Sequence, residues 1–272
     1  MTMGLPPMRA ARIVLQERIA VFTMDRDDVR NELTGSGLAD DICDAIQWAN
    51  QNLDVSVMII TGAGTAFSAG GNIKDMLDSR GLFDGSVSDI ERSYRNGIQK
   101  VPLAMMEAEI PIIAAVNGPA IGAGCDLTCM CDLRIASEHA LWGETFINLG
   151  IIPGDGGAWL LQRLIGYQKA VEMAFTGRLV RAPEAVDMGL ALKMVPHENL
   201  MGEAMTLARE IAAKPPQSVR YTKKLLRQAQ RMELKEFLDL CAVYQGMSHK
   251  SADHREALQA FVEKRQGQYK GC

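Results

Sequence analysis

Several features that would sort a chain into a large functional class are missing from these 272 residues. No apolar run approaches the roughly 18 residues that a bilayer-spanning helix needs, so no membrane segment is expected. The first residues, MTMGLPPMRAAR, hold no apolar core of a secretory leader, and a cytoplasmic location is the expectation. Positive charge is not in excess: 29 Lys and Arg stand against 33 Asp and Glu, a net charge of −4, which argues against nucleic-acid binding by phosphate attraction. There is no internal repeat and no low-complexity segment. Histidine is scarce, with only His139, His197, His249 and His254 available as imidazole bases. Six cysteines without an export signal read as reduced thiols. Cys125, Cys129 and Cys131 lie close together, but they have neither a nearby fourth ligand nor zinc-ribbon spacing. They are expected to be small packing thiols, with no metal bound.

What is present is ordinary globular material, 47% hydrophobic and 23% charged, in a length that makes one large or two small domains. Residues 12–16 and 19–24 predict two short strands joined at Glu17-Arg18. Leu38, Ile42, Ala45, Ile46 and Ala49 recur at helical spacing and predict a helix over 37–52. The β-branched run at 55–61 suits a strand buried on both faces, and a second follows at 112–116. Residues 74–90 read as a mobile surface loop, 89–108 as one helix, and the stretch before Asp132 as strand-like. Beyond Gly157 the periodicity is helical almost to the end, with one late strand at 190–195. Buried strands alternating with helices predict an α/β core with a largely parallel sheet, followed by a helical C-terminal third.

The chain is organised around residues 113–157. Two Gly-rich turns follow buried strands: Ala69-Gly70-Gly71-Asn72 and Ile121-Gly122-Ala123-Gly124-Cys125-Asp126. Small residues at a strand–turn–helix junction let backbone N–H groups approach a ligand with a helix dipole behind them. Two such junctions could form a two-donor hole for a carbonyl oxygen that gains charge during reaction.

Five ordered segments carry a family resemblance: FSAGGNIKDM (67–76), PIIAAVNGPAIGAGCDL (111–127), LGIIPGDGGAWLLQRLIG (149–166), AFTGRLVRAPEAVDMGL (174–190) and FVEKR (261–265). Together the segments resemble the crotonase (enoyl-CoA hydratase/isomerase) superfamily over nearly the whole chain. The resemblance implies the crotonase-like (ClpP/crotonase) spiral of ββα units in two nearly perpendicular sheets. It divides the chain into a core over 1–198, with the CoA-thioester site, and a helical oligomerisation region over 199–272. It also implies acyl-CoA thioester substrates, coenzyme A as part of the substrate rather than a separate cofactor, and a homotrimer or dimer of trimers. Carried over by position, the oxyanion donors are the N–H groups of Gly71 and Ala123, with Ala69, Gly70, Gly122 and Phe146 around the substrate. Phe261 and Lys264 match positions that approach the CoA of a neighbouring subunit.

The acids depart from the family's hydratases, which hold a water between two glutamates. The first position is Asp126 here and the second is Phe146, which exchanges no proton. Glu144 lies two residues earlier; on a helix it would face elsewhere, and it remains a catalytic candidate if the local backbone is not helical. Asp155 sits in a turn where isomerases of the family carry a catalytic aspartate, one residue from that position; its other reading is an N-cap for the helix that follows. Asp126, in an apolar stretch, is expected to hold its proton more tightly than usual and to suit proton transfer. A single aspartate would shuttle a proton and shift a double bond; two carboxylates around a water would hydrate one. The 74–90 loop with Trp142, Phe146 and Trp159 is expected to shape the acyl pocket.

Two other readings stay open. Ala66-Phe67-Ser68-Ala69-Gly70 resembles a nucleophile elbow without its first glycine, which admits a serine hydrolase if a histidine reaches Ser68. The loss of a carboxylate at Phe146 also admits a protein that binds acyl-CoA without turning it over.

Overall fold

The computed structural model describes residues 3–272. β1 (Ala11–Gln16) and β2 (Ile19–Met24) form an antiparallel hairpin whose two turn residues, Glu17 and Arg18, both have positive φ. That twist matches the strands it joins. After α1 (Leu38–Gln51), the strand β3 (Val57–Gly62) pairs in parallel with β2. Residues 73–107 carry three helices: α2 (Ile73–Leu77), α3 (Val87–Asn96) and α4 (Lys100–Glu107). The expected surface loop is therefore partly helical, and the expected single helix over 89–108 is broken. Gly97 leaves helical geometry, and Pro102 has no N–H to return to Ile98.

Next come β4 (Ile112–Val116), β5 (Pro119–Ile121), α5 (Ala123–Met130), β6 (Leu133–Ser137) and β7 (Leu141–Gly143). The stretch before Asp132 is thus helix rather than strand, and the strand begins after that residue. The rest of the chain runs α6 (Gly157–Ile165), α7 (Tyr167–Thr176), β8 (Leu179–Arg181), α8 (Ala182–Asp187) and β9 (Lys193–Val195). Four helices close it: α9 (Leu200–Ala212), α10 (Pro216–Gln228), α11 (Leu234–Lys250) and α12 (Ala252–Glu263).

The main sheet has the order β1-β2-β3-β4-β6-β9, parallel after the first pair, and a small sheet has the order β5-β7-β8. Both faces of the main sheet are covered, which is why β3 and β4 read as unbroken apolar runs. Val57, Ile59, Ile113 and Ala115 face Leu200, Ala204, Met205 and Ala208 of α9, whereas Met58, Ile60, Ile112 and Ala114 join the larger core with α1 and α4. Helix α9 therefore belongs to the core.

Helix α10 is tied down by its cations. Arg220 donates to the carbonyls of Ala49, Asn50, Asn52 and Val55, and pairs with Glu109 at 3.2 Å. Lys223 reaches Ile110 O and Asp132, and Arg227 reaches Met106 O and Ala108 O. These carbonyls close the C-terminal ends of α1 and α4, where backbone oxygens have no partner within the helix and positive charge is favoured.

Candidate active site

The two Gly-rich turns are brought side by side by a short run of strand pairing. Phe67 and Ser68 both donate to Pro119 O, Ile121 donates back to Ser68 O at 3.0 Å, and Ser68 pairs with Ala120 as an isolated bridge. Two asparagines brace the turn before it: Asn31 Nδ2 donates to Ala63 O and Ala66 O, and Asn117 Nδ2 to Gly64 O and Ala66 O. The approach is so close that side chains are excluded. A Cβ on Gly70 (φ +81°) would lie 2.4 Å from Ile121 O, and one on Gly124 would lie 2.3 Å from Ser68 O.

Gly71 and Ala123 consequently share the wall of one cavity of about 70 Å³, with Ala69, Gly122 and Phe146. Among the described residues neither the Gly71 N–H nor the Ala123 N–H has a protein acceptor, while their neighbours Gly70, Asn72 and Gly122 donate to Ser68 Oγ, Thr34 Oγ1 and Gly143 O. Ala123 opens α5, so its N–H also carries the positive end of that helix. The remaining walls are largely apolar: Ile73, Met76, Leu82, Phe83, Ile98 and Tyr94. Residues 73–98 thus do line the cavity. Trp142 and Trp159 do not: Trp142 is fully buried, bonding Thr128 Oγ1, and Trp159 lies in a different groove with Arg163 stacked on it at 3.8 Å. Gly70 supports the wall from behind rather than lining it.

Three carboxyls gather at the inner end. Asp126 is wholly buried, Glu144 is 2% exposed and Asp155 4%. Asp126 has a Glu144 oxygen within 4.8 Å, feels the charge of both other acids, and accepts the Gly157 N–H at 3.1 Å. Asp155 faces the cavity. It is not a helix cap: Gly156 occupies the cap position of α6, and no side chain bonds there. Glu144 does not face elsewhere either. It precedes a short 3-10 helix (Thr145–Leu149), and this non-helical start turns its side chain toward Asp126, while Phe146 turns to the cavity.

Among the described residues no cation pairs with any of the three, and one or both oxygens of each lack a partner: Asp126 Oδ1, Glu144 Oε1 and Oε2, and Asp155 Oδ2. Burial first, then mutual repulsion, drives the proton affinity of Asp126 far above that of an ordinary carboxyl; burial likewise raises Glu144 and Asp155. The group behaves as one titrating unit that retains shared protons where lone carboxylates would be ionised. Cys125 Sγ comes within 4.8 Å of the Asp126 and Glu144 oxygens. Its thiol is pushed up by Cys129 and by burial, so it stays protonated and makes a poor metal ligand. Cys131 is pushed up to about 12 by burial.

Ser68 is committed elsewhere. Its buried hydroxyl donates to Asn31 O at 2.7 Å, His139 stacks against His197, and His249 contacts His254. No histidine is bonded to it, which leaves the hydrolase reading without a base. Phe261 is 83% exposed on α12, neither a core residue nor part of the cavity, and Lys264 ends the same helix at the surface. Tyr94 and Gln99 were not signalled by the sequence. Tyr94 lies in the cavity wall with Asp155, and Gln99 Nε2 donates to Gly154 O at 2.8 Å, fastening the turn that carries Asp155. An aromatic on a strongly charged helix was the one available hint of Tyr94.

The family described as "Enoyl-CoA hydratase/isomerase" matches residues 15–272. A Dictyostelium discoideum protein named "Probable enoyl-CoA hydratase, mitochondrial" is 36% identical over 248 residues, 91% of this chain and 86% of that one. The "Crotonyl-CoA hydratase" of Syntrophomonas wolfei is 33% identical over 93% of this chain and 95% of its own. The crystal structure of an enoyl-CoA hydratase from Bacillus anthracis superposes with a TM-score of 0.89 at 31% identity, covering 97% of this chain and 100% of the other.

Proposed function

The chain belongs to the enoyl-CoA hydratase/isomerase family and is an enzyme of that type, and from this premise we propose that it shifts the double bond of an enoyl-CoA thioester. The thioester oxygen lies between the N–H groups of Gly71 and Ala123. Each donor is worth on the order of 3 kcal/mol once that oxygen carries enolate charge. Asp155 takes the α-proton and returns it at the γ carbon of the resulting dienolate. The observation that carries this reading is that Asp155 is the one carboxyl in the wall of the cavity holding both free N–H groups, among the described residues. Its raised proton affinity makes it a stronger base, once ionised, than an exposed aspartate.

Hydration is the second reading, favoured by the names of the relatives and by the two further carboxyls behind Asp155. Against it stands Phe146, apolar where the resemblance calls for the acid that would hold the water. Incubation with a 3-enoyl-CoA and a 2-enoyl-CoA separates the two. Double-bond migration lost in Asp155→Asn supports isomerisation, and loss of enoyl absorbance by a 2-enoyl-CoA supports hydration. Binding of both thioesters with no turnover overturns both.

Coenzyme A enters with the substrate, and the reading needs no further cofactor. A trimeric assembly, or a dimer of trimers, is supported by the apolar residues left exposed on α11 and α12, among them Leu234, Leu238, Val243, Phe261 and Val262. Phe261 and Lys264 would then meet the CoA of a neighbouring subunit. Among the described residues no helix is long and apolar enough to cross a membrane, and all six cysteines are free, which supports a reducing, cytoplasmic setting.

A further inference from the structure

Asp155 and Glu144 face different cavities. Asp155 lines the cavity with the two free N–H groups, whereas Glu144 belongs to the wall of a second cleft of about 200 Å³, formed by Pro153, Gly157, Leu161, Tyr167 and Ala174. The turn over 153–157 is the partition: Pro153 and Gly157 face the second cleft, Asp155 the first. Asp126 lines neither. It sits wholly buried, within 4.8 Å of Glu144 and close enough to Asp155 for each charge to act on the other.

We propose that Asp155, Asp126 and Glu144 form a carboxyl relay that passes the substrate's proton from the acyl cavity to water in this second cleft. The proposal rests on Asp155 acting as the base. The abstracted proton moves from carbon to the Asp155 carboxylate; Asp126, already an acid, passes its own proton to the Glu144 carboxylate as it takes the one on Asp155, and Glu144 releases a proton to a cleft water. Asp155 and Glu144 end as carboxylates and Asp126 as the acid it was, and no bond other than to hydrogen changes. Return follows the same path in reverse.

Three observations carry the relay. A chain of carboxyls needs each member to be both donor and acceptor, and the cluster retains shared protons with no cation to fix its charges. Both oxygens of Glu144 are without a partner although the residue is nine-tenths buried, and it already lines the second cleft, so they are open to a proton from Asp126 and to a water in the cleft. And the first cavity is small and apolar, so a bound acyl chain leaves Asp155 little water of its own. Cys125, with its thiol protonated, stands beside the route without belonging to it.

The test is the isotope content of the product. The full-length protein converts a 3-enoyl-CoA in deuterated water, and the 2-enoyl-CoA formed is analysed by mass after less than one equivalent of turnover. Wild type is expected to place solvent deuterium in most of the product. Glu144→Gln, which removes the outlet, and Ala174→Trp, which fills the cleft and leaves all three carboxyls in place, are expected to lower the deuterium per turnover about fivefold or more. A merely structural role for Glu144 would slow turnover without changing that ratio. Unchanged incorporation in Ala174→Trp overturns the relay whatever Glu144→Gln does. A wild type that turns over with no solvent deuterium overturns the relay alone, and one that turns over no enoyl thioester refutes the parent reading as well.

Discussion

The N–H of Gly157 donates to Oδ2 of Asp126 at 3.1 Å, and a Cβ at position 157 would stand 2.1 Å from Oδ1 of the same carboxyl. One glycine thus sets the position of an acid that precedes it by 31 residues. Gly157→Ala is expected to displace Asp126 and with it the carboxyls on either side. A misplacement of about 1 Å costs roughly 100-fold in kcat. Thioester affinity should change little, because the N–H pair of Gly71 and Ala123 is untouched. Steady-state kinetics beside direct acyl-CoA binding measures the split.

Gly124→Ala addresses the donors instead. Its Cβ would meet Ser68 O at 2.3 Å and push α5 away from the 68–71 turn, separating the two N–H groups. The expected loss is about 100- to 1,000-fold in kcat, the effect of losing one such donor. Affinity for an enolate analogue should fall in step with kcat. An analogue that binds as well as before would clear position 124 of any part in holding the oxygen.

The carboxyl cluster makes a prediction about pH. Burial raises the folded-state proton affinities of Asp126, Glu144 and Asp155 above their unfolded values, near 4 for free carboxyls. Their contribution to stability is therefore fully present below pH 4 and is lost as pH rises through the folded values. Wild-type Tm should fall as pH rises above about 4, the reverse of ordinary acid denaturation. Asp126→Asn removes the most strongly shifted member while keeping an acceptor for Gly157. It is expected to flatten that slope and raise Tm at pH 8 by a few degrees, for a gain on the order of 1 kcal/mol. A lower Tm at pH 8 than wild type would refute the repulsion argument.

Gln99→Ala removes the hydrogen bond that fastens Gly154 O to the start of α4. The expected stability cost is about 1 kcal/mol. Turnover should drop about 10-fold, since Asp155 rides on the freed turn. Gln99→Glu, which cannot donate when ionised, should reproduce the loss.

Arg220→Met takes one donor from each of four carbonyls, those of Ala49, Asn50, Asn52 and Val55, of which Ala49 and Asn52 keep a backbone N–H. A cost of about 3 kcal/mol is expected in urea denaturation. Arg220→Lys should recover little of it, because an ammonium has three donors and no planar fork.

Much of this was legible in the sequence because the residues involved have few other uses. β3 and β4 were plain as apolar β-branched runs. The Gly-rich turns could be located because Gly70 and Gly124 stand where no Cβ fits. The three-residue strands β5, β7 and β8 are too short to show alternation, so the small sheet had no signature. Glu144 was left between two readings because its direction depends on whether the segment is helical, and the sequence does not show that the segment begins outside a helix. Asp155 was half-read as a cap because Asp before a helix is a common cap, and only the fold reveals that Gly156 takes that place. Trp142 and Trp159 were assigned to the pocket by size, which carries no direction.

Ala123 and Asp126 occupy the same first turn of α5. One points its N–H at the cavity, and the other lies buried just behind it. A helix end supplies roughly half an elementary charge, a single modest reserve for any negative charge nearby. An enolate forming in front and a carboxylate ionised behind would compete for it. On the proposed reading the two anions are antagonists, and charge on the thioester oxygen is best tolerated when Asp126 is neutral. Proton occupancy of a side chain outside the cavity wall would then set how firmly an enolate is gripped.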